Sequence, residues 1–271
     1  MPESPATWTA VAFGLLPLVE QVFRLTSDIT LLELSDLNRP LLRRMQLEAP
    51  GTYHHSMVVG SLAESAAEAI DANSLLARVQ AYYHDIGKLS KPEYYAENEP
   101  ASSRSRHEKL TPSMSALVVK SHISEGLEMA KKERLPRAVR NAVPEHHGTM
   151  VMAFFFHKAL ETDPTARRED YSYPGPRPRS KETAILILAD GVEGASRALA
   201  EPTPSRIRGL VQRIIEERVR DGQLDDANIT ILELARIRES FIPVLTAIFH
   251  VRAPYPTAPR AKRESEAKRE E

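Results

Sequence analysis

Histidine and aspartate dominate the part of the sequence that could carry chemistry. Seven of the nine histidines lie between His54 and His147, most of them in pairs or beside an aspartate. The chain contains no cysteine, which excludes disulfide bonds, zinc–thiolate sites and cysteine nucleophiles. A metal ion bound by this chain would therefore have nitrogen and oxygen ligands.

The strongest local signal is the segment YYHDIGK at residues 82–88. In the middle of a helix, adjacent His84 and Asp85 would point about 100° apart, which suits two ligands of one ion poorly. At a last turn before Gly87 both side chains can reach one ion, because glycine lets the backbone leave the helix. A single pair of this kind is usually a satisfied surface or capping pair, so the other histidines decide the interpretation.

Two residues follow strongly apolar segments, where a polar group without a partner is costly. His122 comes shortly after ALVV at residues 116–119, and Asp190 comes directly after AILILA at residues 184–189. Burying a carboxylate alone would cost several kcal/mol or protonate it, so Asp190 needs a cation. An arginine partner would explain the position of Asp190 alone, whereas a metal ion would explain both Asp190 and His122.

Histidine pairs occur at two further positions next to turns. His146 and His147 directly precede Gly148, which repeats the order of two ligand types followed by a glycine. The pair at residues 54–55 directly follows the turn APGT at residues 49–52, where threonine can cap a helix. One shared metal centre explains these clusters more economically than a separate structural role for each.

The elements that must position these residues are predicted to be helices. Aromatic residues make up only 6% of the chain, whereas leucine, alanine, glutamate and arginine are frequent, and this balance favours an all-α fold. Apolar residues recur at helical spacing, and we find no convincing pair of strands. The predicted helices cover residues 53–69, 75–85, 112–122, 125–133, 136–147, 151–160, 181–200, 205–221 and 230–249, after a broken helical segment at residues 26–47.

Three segments are predicted to lack regular helix. Residues 90–111 are polar and contain two prolines, so we expect a mobile loop there. Residues 162–180 contain four prolines, which excludes a regular helix. Residues 256–271 are mostly charged and predict a disordered tail.

The first 22 residues contain the apolar run WTAVAFGLLPLV at residues 8–19, interrupted by Gly14 and Pro17. This run is shorter than the roughly 20 residues that a membrane-spanning helix needs. It also lacks the basic start of a signal peptide. It is either an amphipathic packing segment or the end of a truncated transmembrane or juxtamembrane helix, and we favour the second interpretation.

The order of His55, then His84 and Asp85, then Asp190 resembles the H…HD…D pattern of HD-domain phosphohydrolases. Longer segments of the chain are similar to sequences of the PgpH-type seven-transmembrane HD family. These segments are LLELSDLNRPLLRRM, EAPGTYHHS, YYHDIGKL, EHHGT, YPGPRP and LADGVEGASR. The resemblance implies an HD phosphohydrolase domain at residues 23–255, on the cytoplasmic face of the cell membrane. It also implies a membrane anchor through a missing N-terminal portion.

The resemblance further implies a dinuclear metal site in the helix core, occupied by iron or manganese, which suit nitrogen and oxygen ligands. Two such ions could hold a bridging hydroxide that attacks phosphorus. The implied ligands of one ion are His55, His84, Asp85 and Asp190, and those of the other are Asp85, His122, His146 and His147. Asp85 would bridge the two ions and act as a catalytic residue, whereas His54 is expected to point elsewhere.

The implied reaction is hydrolysis of a cyclic dinucleotide, cyclic di-AMP, to linear pApA. Lys88 is a candidate catalytic residue that would contact a non-bridging phosphate oxygen, with a solvated lysine near a helix C-terminus as the alternative. His107 is a second candidate for contacting substrate phosphate. Its surroundings, SRHE at residues 105–108, depart from the Asn-Pro-His-Asp phrase associated with the family.

Other activities remain open at this point. Cyclic di-GMP enzymes of the HD-GYP type carry Gly-Tyr-Pro after the paired histidines, whereas this chain reads HHGTM at residues 146–150. The bare HD pattern also allows hydrolysis of an alarmone or a nucleoside triphosphate. A non-catalytic nucleotide sensor would have lost a ligand, and all seven positions are filled. The net charge of −1 argues against DNA or RNA as a partner, and a homodimer is a further possibility.

Overall fold

In the computed structural model, the residues described are 22, 25–99, 105–199 and 201–250. Across these ranges the chain forms α-helices and short 3-10 helices, and the only β-type pairing there is an isolated bridge between Val151 and Ser172. The prediction of an all-α fold is therefore confirmed.

Eleven α-helices lie in the described part of the chain. In chain order they are α1 Asp28–Leu34, α2 Pro40–Glu48, α3 Pro50–Ala69, α4 Ser74–Tyr83, α5 Pro112–Lys132, α6 Arg137–Arg140, α7 Ala142–Glu145, α8 Ala153–Thr162, α9 Lys181–Ser196, α10 Pro204–Arg220 and α11 Ile231–His250. The 3-10 helices are Ile86–Ser90, Pro92–Tyr94, Ala96–Asn98, Arg106–Lys109 and Arg168–Tyr171.

Helix α9 runs through the largest hydrophobic cluster and packs against α3, α4, α10 and α11. Its residues 184–189 are all fully buried, so the helix is apolar on every side, as expected for a central helix. A reciprocal cap starts it: the Thr183 amide donates to Ser180 Oγ, and the Ser180 amide donates to Thr183 Oγ1. This packing explains the apolar run and places Asp190 at its edge.

A second cluster holds the end of α4. Leu31 of α1 and Leu42 of α2 pack with the buried Tyr83, the last residue of α4. The Tyr83 hydroxyl donates a hydrogen bond to the Leu34 carbonyl at 2.9 Å. The point at which the chain leaves α4, just before His84, is therefore fixed by core packing.

The helix after the turn at residues 49–52 begins at Pro50, three residues earlier than predicted. Proline is favoured in a first helical turn, because its missing N–H group has no partner there in any case. Thr52 does not cap this helix. Its hydroxyl donates to Glu97 Oε1 and its amide donates to Asn98 Oδ1, both at 3.1 Å.

Two predicted boundaries in the middle of the chain were wrong. The predicted helices at 112–122 and 125–133 are the single helix α5, which buries Ile123, Gly126 and Ala130 on one face. The predicted helix at 136–147 is instead the two short helices α6 and α7. Pro144 has no N–H group to donate to the Arg140 carbonyl, so the helix is interrupted between Arg140 and Ala142.

The proline-rich segments differ in outcome. Residues 163–180 contain no α-helix, as their prolines predict. The segment at residues 91–99, expected to be part of a mobile loop, instead forms two 3-10 helices, and the second of them, Ala96–Asn98, contacts α3. Tyr95 in this segment is buried, and the Asn98 side-chain amide donates to Thr52 Oγ1 at 2.9 Å.

Both chain ends fall outside the described residues, including the apolar run at residues 8–19 and the charged tail at 256–271. Among the helices that are described, none is both long and apolar enough to cross a membrane.

Gly87→Ala tests the close approach between the 3-10 helix after α4 and helix α5. A Cβ on Gly87 would lie 1.8 Å from the His122 carbonyl oxygen, so the backbones would have to separate. We expect a loss of at least about 2 kcal/mol in the free energy of unfolding, measured by urea denaturation. Gly209→Ala on α10 is the control, because nothing lies within 4 Å of its Cβ position. The control should be neutral or stabilising, and equal losses in both variants would contradict this interpretation.

Candidate metal centre

The side chains predicted as metal ligands meet in the space between α3, α4, α5, α7 and α9. They form two groups, and within each group one ligand atom per residue lies within 4.8 Å of the others. The first group is His55, His84 and Asp190, and the second is Asp85, His122, His146 and His147. The structure therefore brings together all seven residues that the sequence singled out.

The paired ligand residues lie at helix ends, as predicted. Helix α4 ends at Tyr83, and His84 keeps helical dihedral angles while Asp85 has φ −107° and ψ 13°. This change of direction turns the Asp85 carboxylate back, so that its Oδ2 lies 3.2 Å from His84 Nε2. His147 is followed by Gly148, which has a φ of +51°, a left-handed conformation that favours glycine.

Asp85 lies between the two groups. Its Oδ1 is 3.5 Å from Nε2 of His146 and 3.7 Å from Nε2 of His122. Its Oδ2 is 3.2 Å from Nε2 of His84 and 3.7 Å from Nε2 of His55. Each carboxylate oxygen therefore faces one group, which is the arrangement of a carboxylate that bridges two ions.

Backbone carbonyls determine which nitrogen of the buried imidazoles carries the proton. Nδ1 donates to a carbonyl of the preceding turn in three rings: His84 to Ala81 at 2.7 Å, His122 to Val119 at 2.6 Å and His146 to Val143 at 2.8 Å. A carbonyl oxygen only accepts, so Nδ1 is protonated and the neutral ring presents a lone pair at Nε2. The Nε2 atoms of His122 and His146 are 3.4 Å apart, so two lone pairs face each other.

The centre also contains buried polar atoms that lack a hydrogen-bond partner. Within the part of the chain that the structure describes, these include His84 Nε2, Asp85 Oδ1 and His147 Nδ1. A buried polar atom without a partner is costly, and here several converge on one space. A cation between them would satisfy the lone pairs and the carboxylates together, so the residues present fit divalent metal ions.

The protonation states favour metal binding as well. Burial, reinforced by the neighbouring His146, lowers the pKa of His122 to about 3 and that of His147 well below its usual value. Burial by itself would raise the pKa of Asp85, but Lys88 and neighbouring His84 lower it well below the ordinary range. Near neutral pH His122 and His147 are therefore neutral and Asp85 is ionised, the forms that coordinate a metal.

His55 is oriented by a carboxylate that the sequence analysis missed. Its Nδ1 lies 2.5 Å from Glu193 Oε2, and its Nε2 lies 3.0 Å from Asp190 Oδ1. Burial lowers the pKa of His55, but the hydrogen bonds to these two carboxylates raise it to about 9. A divalent ion at Nε2 would take the place of the proton on that side, while Glu193 holds the other nitrogen.

Arg197 completes this arrangement, because its guanidinium lies 2.6 Å from Glu193 Oε2. The signal for these residues was present in the sequence. Asp190, Glu193 and Arg197 are spaced by three and four residues, which places them on one face of α9. The sequence analysis used only Asp190 of this face.

Lys88 does not extend into solvent from a helix end. Its ammonium group lies 2.7 Å from Asp85 Oδ2 and 2.7 Å from Glu97 Oε1, and 5.1 Å from the centre of the Tyr95 ring. Burial would lower the pKa of Lys88, but the two carboxylates raise it well above its usual value. The solvated-lysine alternative is therefore wrong, and a contact between Lys88 and substrate phosphate stays a prediction.

His107 belongs to neither ligand group. Its Nε2 donates to the Tyr94 carbonyl at 2.9 Å, and its ring packs 5.2 Å from that of Phe155. These contacts place it beside a separate cavity of about 220 Å³. No contact in the described ranges connects it to the metal-ligand groups, so its predicted role at the substrate has no support from the geometry.

In the part of the chain that the structure describes, cavities flank the centre on two sides. One has a volume of about 560 Å³ and is lined by His147 and Tyr173, whose rings stack with centres 4.1 Å apart. The other has a volume of about 730 Å³ and is lined by His55 and Lys88. Asp190 lines both, so the centre can be reached from two sides.

Comparison with known proteins assigns the class. Residues 52–195 match the HD domain family, and the chain belongs to that family. It is 43% identical over 250 residues to the cyclic-di-AMP phosphodiesterase PgpH of Bacillus subtilis, covering 92% of this chain and 35% of that protein. It is also 43% identical over 243 residues to PgpH of Listeria monocytogenes, covering 90% of this chain and 34% of that protein. The chain thus spans about a third of the length of these relatives.

Solved structures support the same assignment. The crystal structure of the L. monocytogenes PgpH HD domain matches with a TM-score of 0.75 and 42% identity, covering 79% of this chain and all of that chain. The same domain in complex with cyclic-di-AMP matches with a TM-score of 0.76. The HD domain of this chain is therefore of the PgpH type, which confirms the resemblance found in the sequence.

Asp85→Ala tests whether one carboxylate supports both ligand groups. We expect the purified variant to lose its metal, because both groups lose the Asp85 carboxylate that lies between them. Metal content is measured by plasma mass spectrometry. Asp226→Ala, at an exposed carboxylate, is the control and should keep the wild-type metal content. A circular dichroism spectrum like that of the wild type would show that the variant folds. Metal retention in the folded Asp85→Ala variant would contradict the bridging assignment.

Glu193→Ala tests the residue that orients His55. Loss of such an outer carboxylate is expected to weaken metal affinity about 10- to 100-fold, measured by competition with a chelator. Glu193→Gln keeps an oxygen acceptor for Nδ1 and should lie between the wild type and the alanine variant. Glu161→Ala, at an exposed carboxylate on α8, should leave the affinity unchanged. Equal affinity in all four proteins would show that Glu193 does not position the ligand.

Proposed function

We propose that this chain is a metal-dependent phosphodiesterase domain that hydrolyses cyclic di-AMP to linear pApA. The observation that carries the proposal is the position of Asp85, with one carboxylate oxygen facing each of two ligand groups. The similarity to PgpH, a relative named as a cyclic-di-AMP phosphodiesterase, supports the choice of substrate.

The seven residues of the two groups would hold two divalent ions, which we propose to be iron or manganese. A set of imidazole and carboxylate ligands without sulfur suits either metal. When bound, a pair of such ions supplies Lewis acidity that activates water and stabilises negative charge at phosphorus.

The chain's own residues would keep this chemistry in place. The carbonyl partners of His84, His122 and His146 hold the imidazoles with Nε2 facing inward, so the ligands need no reorientation. Lys88 stays positively charged, because Asp85 and Glu97 raise its pKa. The positive charge of Lys88 would favour the binding of a negatively charged phosphate that enters from the cavity lined by Lys88.

The two cavities suit a substrate that extends to both sides of the reacting phosphate. Each has a volume in the range of small-molecule sites, and Asp190 borders both. A phosphodiester at the metal centre carries one nucleoside on each ester oxygen, so one nucleoside can enter each cavity.

We further propose the domain organisation predicted from the sequence. Residues 23–255 would form the HD phosphohydrolase domain, residues 1–22 the end of a transmembrane or juxtamembrane helix, and residues 256–271 a disordered tail. The greater length of the relatives leaves room for a membrane portion that places this domain at the cytoplasmic face. A homodimer stays a prediction.

The proposed activity is tested with protein purified without oxygen and analysed for metal. We expect it to convert cyclic di-AMP to pApA, detected by chromatography, much faster than it cleaves cyclic di-GMP, an alarmone or a nucleoside triphosphate. The Asp85→Ala variant should show no turnover. Equal rates on both cyclic dinucleotides would remove the substrate assignment and keep the reaction class. Tight binding of cyclic di-AMP without turnover by iron- or manganese-loaded protein would instead favour a sensor.

A further inference from the structure

Arg218 on α10 reaches across to α9 at the edge of the metal centre. One terminal nitrogen of its guanidinium lies 3.1 Å from the position that a Cβ on Gly191 would occupy. Gly191 directly follows Asp190, a member of the first ligand group. The missing side chain at Gly191 therefore makes room for a guanidinium next to the centre.

The guanidinium of Arg218 has no hydrogen-bond or ion-pair partner within the described ranges, and its Nε is buried. Three other arginines of α10 are paired: Arg206 with Glu201, Arg208 with Glu239 and Arg213 with Glu217. A partly buried arginine without a counterion is costly, so its position beside the centre points to an anionic ligand.

The cavity of about 560 Å³ has the chemistry of a nucleotide site. His147 and Asp190 line it on the side of the metal centre, Arg218 lines it as well, and Met150 and Phe156 add apolar surface. An apolar and aromatic surface next to an arginine suits a base attached to a phosphate.

Besides Asp190, two carboxylates line the same cavity, and neither is paired with Arg218. Glu217 lies 4.0 Å from Arg213, and within the described part of the chain Asp221 forms no ion pair with the Arg218 guanidinium. In the other cavity the cations are already paired, Lys88 with Asp85 and Glu97, and Arg197 with Glu193. A second anion therefore finds an unpaired guanidinium on the Arg218 side.

We infer that Arg218 binds the phosphodiester of the cyclic dinucleotide that is not being cleaved. This inference rests on the proposed function. A cyclic dinucleotide carries two phosphodiesters in one ring, so placing one at the metal centre leaves the other close by. Arg218 would receive the second phosphodiester, and the attached base would pack against Met150 and Phe156 in the same cavity.

Arg218→Met tests the inference through two substrates. For cyclic di-AMP we expect KM to rise about 10- to 100-fold, because a charged hydrogen-bonding partner of the phosphate is lost. Bis(p-nitrophenyl) phosphate has only the phosphodiester that is cleaved, so its turnover should be unchanged. Arg218→Lys keeps the charge but not the planar pair of donors, and its KM should be intermediate.

Arg220→Met, at an exposed arginine two residues further along α10, is the matched control and should resemble the wild type. An unchanged KM for cyclic di-AMP in Arg218→Met would overturn the inference. So would a parallel loss on both substrates, which would mean that Arg218 supports the metal centre. Failure of the proposed function would give a different result. The wild-type protein would then cleave bis(p-nitrophenyl) phosphate but neither cyclic dinucleotide, which would overturn both the proposed function and the role of Arg218.

Discussion

The Asp85 carboxylate, buried among imidazole rings, is the interaction around which the helices are arranged. Its two oxygens face different ligand groups, at 3.5 Å from His146 Nε2 and 3.2 Å from His84 Nε2. Hydrogen bonds from Nδ1 to backbone carbonyls direct the Nε2 atoms of His84, His122 and His146, which carry the lone pairs of the neutral rings, toward this carboxylate. Such a group of lone pairs and carboxylates is compatible with a packed core only when cations join them.

The surrounding helices meet this requirement through packing and backbone contacts. Helix α9 is buried on all sides over residues 184–189, which brings Asp190 to the centre. Gly87 lets the chain after α4 approach α5 closely enough for His84 and His122 to share one space. The surface of the centre is asymmetric, because Lys88 and Arg197 are paired with carboxylates while Arg218 is not. We propose that this asymmetry separates the cleaved phosphodiester from the retained one.

The identities of the candidate ligands could be read from the sequence because their signals are local. Paired residues before a glycine, such as His146 and His147 before Gly148, mark helix ends, and Asp190 after an apolar run marks a buried carboxylate. The resemblance to HD phosphohydrolases then ordered these residues into one site. Helix boundaries were less predictable, because packing on one face keeps α5 continuous through residues 123–124, where the sequence alone suggested a break.

The sequence by itself therefore determined the helical fold class, the seven candidate ligands and the family. Tertiary structure decided which partners those residues have, since the partners come from segments distant in the chain. Glu193 reaches His55 across 138 positions, and Glu97, which holds Lys88, accepts a hydrogen bond from Thr52 across 45 positions. Arg218 looks like any arginine of an amphipathic helix until α10 packs against Gly191. Whether a charge is paired depends on all the groups around it, and only the folded chain brings those groups together.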